Sequence, residues 1–181
     1  MSKARSTKEQ RKKRKSNKNL AARVCSILGT VLLIILVIVC VPLTLPRMAG
    51  IDIYTVVSGS MEPAIPTGSL VYVKNINPED VKEDEVIAFY GAIDGGSIIT
   101  HRVVTNSTVM GEFITKGDAN EENDMNPIPY DHLIGKVVLS IPKAGALAQT
   151  FSSMAGKITA AGLIVLAIVF HLIASVLNGR E

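Results

Sequence analysis

The sequence predicts a mainly β fold: a small exported all-β domain carried between two transmembrane helices. Three observations lead there. Two long apolar runs, residues 24–46 and 158–177, contain no charged residue. Between them lie short segments rich in Val, Ile, Phe and Tyr, punctuated by Gly, Asn, Asp and Pro, which is the composition of strands and turns. Charge is also segregated. Residues 1–23 carry ten Lys and Arg against Glu9 alone, a local +9, so the +3 of the whole chain leaves −6 for the remainder.

The first element is the basic tail, residues 1–23, expected to be cytoplasmic. Residues 1–19 are polar and low in apolar content, so disorder is expected. A basic run can bind nucleic acid or anionic lipid. Placed against an apolar run, it is read instead as the flanking charge that sets topology, and no nucleic-acid partner is assigned. Residues 24–46 are long enough to cross a bilayer as a helix. A cleaved signal would end in a small-x-small site; Pro46-Arg47-Met48 offers none, so this is read as an uncleaved anchor. Cys25 and Cys40 both lie in it. On one helix they stand about 22 Å apart, too far to pair.

Residues 47–143 form the expected extracytoplasmic β-domain. Its strands are placed at 70–74, 85–90, 98–104, 112–116 and 133–139, with turns at 77–80 and 94–96. Residues 144–157, rich in Ala, Ser and Gly, are a linker or short helix. Residues 158–177 are the second span, about 30 Å long as a helix. Two spans return the chain to its starting side, so residues 178–181 are placed in the cytoplasm with the N-terminus.

The chemistry is sought in Val57-Ser58-Gly59-Ser60-Met61-Glu62-Pro63, which follows the first span closely. Gly59 permits a sharp turn and Pro63 stiffens its exit. Ser60 needs a base to become a nucleophile. Three histidines are available. His171 lies inside the second span, and His132 reads as a surface residue that opens a strand. His101 shares a strand face with Ile99 and Val103, where a polar side chain needs a partner. A group to orient that imidazole is sought in the loop 117–124, with Asp118, Glu121, Glu122 and Asp124. These carboxylates could hold Ca²⁺, but the loop lacks EF-hand spacing and its sixth-position glycine, so no metal is assigned. Residue types and spacing stop at a serine, a histidine and an acidic loop that could form a triad.

Taken together, these segments resemble the signal peptidase I family, in the right order from about residue 24 to 142. Ser58-Gly59-Ser60-Met61-Glu62-Pro63 is similar to its nucleophile box. Gly117-Asp118-Ala119-Asn120, with Asp124 beyond, is similar to its late acidic box. The usual bacterial branch has a lysine before an Arg-Val-Val run. Here His101 precedes Arg102-Val103-Val104, which resembles the Ser-His branch of archaea, the endoplasmic reticulum and SipW-like enzymes.

The resemblance implies a membrane-bound serine endopeptidase that removes signal peptides after small residues at −1 and −3. It implies Ser60 as nucleophile, His101 as general base and then acid, Asp124 as the group orienting His101, and Asp118 as a brace. The Ser60 N–H and the Ser58 hydroxyl would stabilise the oxyanion. Ile65 and Ile99 are expected to wall shallow pockets that exclude large side chains. No cofactor is implied. The expected partners are signal peptides of exported preproteins, including secretion-machinery, pilus or matrix proteins, and the lipid bilayer. A non-enzymatic scaffold for an exported partner is the alternative; it leaves unexplained why the Ser60 turn and the His101 strand occur together.

Overall fold

A computed structural model describes residues 2–91 and 96–178, and for residues 2–15 the course of the helix alone. The turn expected at 94–96 and the tail at 179–181 therefore fall outside the described residues, except for Gly96. The chain divides into a helical unit and a β unit, the latter being Pro42–Ser152.

Helix α1 runs Ser2–Met48 and α3 runs Met154–Asn178. Both are long and apolar enough to cross a membrane. The expected disorder of residues 1–19 is corrected for residues 2–19, because α1 begins at Ser2. Lys, Arg, Gln, Glu and Ala are good helix formers, and a helix already nucleated in the apolar run extends through them at little cost. Pro42 and Pro46 both lie inside α1. Pro46 has no N–H to give the Pro42 carbonyl. The Tyr72 hydroxyl donates to that carbonyl instead, at 3.2 Å. Gly50, at φ +72°, closes the helix in a conformation that costs glycine nothing.

The β unit is one seven-stranded antiparallel sheet in the order β1-β2-β7-β3-β4-β5-β6. The strands are β1 (Ile51–Thr55), β2 (Leu70–Lys74), β3 (Val86–Tyr90), β4 (Ile98–Ser107), β5 (Glu112–Lys116), β6 (Ile128–Pro129) and β7 (Leu133–Ile141). Helix α2 covers Gly145–Ser152, within the stretch expected to be linker or helix.

Three apolar clusters explain the strand sequences. Ile87 and Phe89 enter one cluster with Val81, Val103, Phe113 and Ile128. Ala88, on the other face of β3, joins Met61, Ile65, Val71 and Val73. Leu70 and Tyr72 pack with Ala148 of α2. Strands β2 and β3 are thus covered on both faces and read as continuous apolar runs. Strands β4 and β5 are covered mainly on one face and alternate, as in the burial of Phe113 and Thr115. Register shifts at Tyr72/Val73, Ala88/Phe89 and Val103/Thr105 add local twist. At Gly135 an added Cβ would lie 2.3 Å from the Lys74 carbonyl oxygen, so β7 can cross there only with glycine.

Candidate active site

Two pieces of chain build the site. The first is the turn after β1. The Glu62 N–H donates to Gly59 C=O at 3.0 Å, and the Ile65 N–H to Met61 C=O at 2.8 Å. Met61 and Ile65 point into the core, which pins the turn from beneath. The Glu62 carboxylate accepts from the Thr67 hydroxyl at 3.0 Å and from the Thr67 N–H at 3.3 Å. Ser60 is left half-buried and Ser58 exposed, with their hydroxyl oxygens 3.3 Å apart.

The second piece is the corner of β4, β5 and the loop that follows. His101 is only 8% exposed. Its Nδ1 lies 2.6 Å from Asp124 Oδ2. An ionised carboxylate can only accept, so Nδ1 carries the proton in this pair and Nε2 is the nitrogen that remains to receive one. The ring also meets Phe89 edge-on, centroids 6.2 Å apart. Asp118 is engaged elsewhere. Arg102 holds it in a fork, Nε to Oδ1 at 2.8 Å and Nη2 to Oδ2 at 2.6 Å. That hydrogen-bonded pairing raises the pKa of the Arg102 guanidinium above its ordinary value. Arg102 Nη1 also donates to the Asp84 carbonyl, so Asp118 is tied through it to the loop before β3. Of the loop's two aspartates, Asp124 meets the histidine and Asp118 meets the arginine.

The two pieces meet at the start of the loop. The Ala119 N–H donates to the Ser60 carbonyl at 2.9 Å. A Cβ on Gly117 would fall 2.6 Å from the Ser60 carbonyl oxygen, 2.8 Å from Asn120 Nδ2 and 3.1 Å from His101 Nε2. The free nitrogen of the imidazole and the backbone of the serine therefore converge on a glycine, and a side chain there would push them apart.

A groove of about 450 Å³ opens beside Ser60. Val56, Ser58 and Ser60 line one side, and Ile98, Ile99 and Thr100 line the start of β4. Tyr54 borders it too; burial, and then the nearby Asp52, push its phenol pKa up. Ile99 thus lies where a pocket wall is expected. Ile65 does not. It is 5% exposed and packs beneath the turn, because the turn's own hydrogen bonds aim it into the core. His132 ends a short 3-10 turn, Tyr130–His132, rather than opening β7, and its Nδ1 lies 3.1 Å from the Tyr90 carbonyl. His171 lies on α3 in the helical unit. Among the described residues no group of three or more His, Cys, Asp or Glu could hold a metal.

Two contributions escaped the sequence reading. Thr115 is fully buried and donates its hydroxyl to Asp124 Oδ2 at 2.6 Å. Its signal was present, since it is a polar residue on the face of Phe113, as His101 is on the face of Val103. Gly117 was named in the Gly117-Asp118-Ala119-Asn120 box, but its part as a point of close approach was not.

No known protein-family profile matches the chain. Individual proteins do. Over 94 residues, 49% of this chain and 47% of the relative, it is 40% identical to signal peptidase I W of Bacillus subtilis. It is 37% identical over 78 residues to the signal peptidase complex catalytic subunit SEC11C of Homo sapiens, covering 40% of this chain and 38% of the relative. It is 35% identical over 102 residues to the catalytic subunit SEC11 of Colletotrichum graminicola, covering 51% and 59%. This chain is related to the signal peptidases. The matched relatives are of the kind in which the sequence placed it on His101, and the mainly β fold agrees with that placement. The chain spans about half the length, or less, of the Bacillus and human relatives and somewhat more of the fungal one.

Proposed function

We propose that this chain is a membrane-bound serine endopeptidase that removes signal peptides from exported preproteins after small residues at −1 and −3. The observation that supports it most is the convergence of the Ser60 backbone and His101 Nε2 on Gly117, with Asp124 behind the imidazole. In this reading Ser60 Oγ attacks the scissile carbonyl while His101 Nε2 takes its proton. The Ser60 N–H and the Ser58 hydroxyl receive the oxyanion. Collapse breaks the C–N bond, and His101 returns the proton to the leaving amine. Water, deprotonated by the same nitrogen, then releases the acyl group. Asp124 holds the ring and stabilises the imidazolium; Asp118 braces the loop through Arg102.

The substrate lies extended in the groove beside Ser60, with Ile99 shaping the pocket that limits side-chain size. The bilayer brings enzyme and signal peptide together. Both helices span it, the termini are cytoplasmic, and the β unit faces the other side. Secretion-machinery, pilus or matrix proteins are the substrate class. No cofactor takes part.

The test is cleavage of a preprotein by the full chain in membranes. Ser60→Ala and His101→Ala should each lower the rate by about 10³-fold or more. Cleavage by Ser60→Ala at the wild-type rate would refute the assignment.

A further inference from the structure

The buried hydroxyl of Thr115 is a polar group at this corner to which the proposed reaction gives no part. Thr115 stands on β5 opposite Val103 of β4 and has no exposed surface. It grips Asp124 at two points. Its carbonyl accepts the Asp124 N–H at 2.8 Å, and its hydroxyl donates to Asp124 Oδ2 at 2.6 Å. That oxygen is also the one facing His101 Nδ1, at 2.6 Å. A carboxylate held by its backbone alone can still rotate about its side-chain bonds. A second bond, to the oxygen that meets the imidazole, removes that freedom. Burying a hydroxyl also requires a partner, and here the partner is the group that needs fixing.

We infer that Thr115 is a positioning residue for the Ser60–His101–Asp124 set: its hydroxyl fixes Asp124 Oδ2 against His101 Nδ1, and so fixes which ring nitrogen faces Ser60. This rests on the peptidase reading for its effect on rate, but not for its effect on the imidazole.

The experiment compares Thr115→Val, which keeps the branched shape and loses the hydroxyl, with Thr115→Ser, which keeps the hydroxyl. Both are made in the full chain in detergent micelles. Preprotein cleavage, thermal stability and the low-field proton resonance of the His101 Nδ1–H are read together. Thr115→Val should lower kcat about ten- to a hundredfold, the worth of one hydrogen bond to a charged acceptor, with little change in KM. The low-field resonance should weaken or vanish. Thr115→Ser should restore both, to within about threefold for the rate. If Thr115→Val does not fold, Thr115→Ala against Thr115→Ser makes the same contrast. A Thr115→Val protein that keeps the resonance and the wild-type kcat overturns the inference. So does an equal loss of stability in both variants with the resonance unmoved. If wild type and Ser60→Ala cleave alike, the peptidase reading fails, and the resonance alone decides the part played by Thr115.

Discussion

The turn that carries Ser60 and the corner that carries His101 are built in opposite ways. The turn is held mainly by local hydrogen bonds, as in Glu62 to Gly59 and Thr67 to Glu62, three and five residues apart, and much of it is exposed. The corner is non-local and largely buried. His101 and Asp124 are 23 residues apart, and they meet because β4 and β5 pair in a set register. A serine needs only a firm turn beneath it. An imidazole that must hold one tautomer needs a dry, fixed partner, which only long-range packing provides.

The sharpest break in that comparison lies within the corner. Asp124→Asn can donate to His101 Nδ1 and favour the wrong tautomer; the rate should fall about 10³- to 10⁴-fold while the melting temperature changes little. Asp118→Asn should do the reverse. It loses part of the Arg102 fork, so stability should drop by about 1–3 kcal/mol, with a much smaller loss of cleavage. Paired cleavage assays and denaturant melts check both, and similar profiles for the two variants would erase the distinction.

The seam between the regions is tested by Gly117→Ala. Its Cβ would meet the Ser60 carbonyl oxygen, so turn and corner must separate by a fraction of an ångström to about 1 Å. Cleavage should fall about 10²-fold, and the His101–Asp124 bond should survive by the same low-field proton signal. Wild-type cleavage would show that the seam tolerates displacement.

The smallest effect serves as a control on a side chain bonded to Lys136 and Lys82 rather than to Ser60, His101 or Asp124. Burial would raise the Glu85 carboxyl pKa, but the Lys136 hydrogen bond at 2.5 Å, the Lys82 N–H and the charges of both lysines hold it below its ordinary value. A carboxylate depressed in the fold stabilises above its unfolded pKa, near 4.5, and loses that contribution as pH falls through the lower folded value. Both side chains keep some exposure, so screening limits the effect to about 0.5 kcal/mol. Glu85→Gln should flatten stability slightly between pH 5 and 3, as read by urea melts, without altering cleavage at neutral pH.

Much of this was legible in the sequence. The strands at 70–74 and 112–116 carry their full bounds because β-branched and aromatic residues fill them between turn formers. Strand β1 was missed: Asp52 interrupts five residues hard against the helix end. Strand β6 is two residues long and depends on pairing with β5. The choice between Asp118 and Asp124 came from resemblance, since both sit in one acidic loop and only the paths of Arg102 and His101 on β4 separate them. Alternate side chains of β4 face opposite ways, so neighbouring residues claim different aspartates. Gly117 was named in the acidic box but its part was not, because what it contributes is the space it leaves.

Strand β7 lies between β2 and β3 in the sheet, although the chain makes it after all the others. Ser60 belongs to the β1–β2 hairpin and His101 to the β3–β6 meander, and β7 is the ladder that joins them. During synthesis the sheet that joins these two parts cannot close until Leu133–Ile141 has emerged. The sheet's wiring order thus acts as a built-in delay, because the sheet that carries both parts of the proposed site is complete only with the final strand.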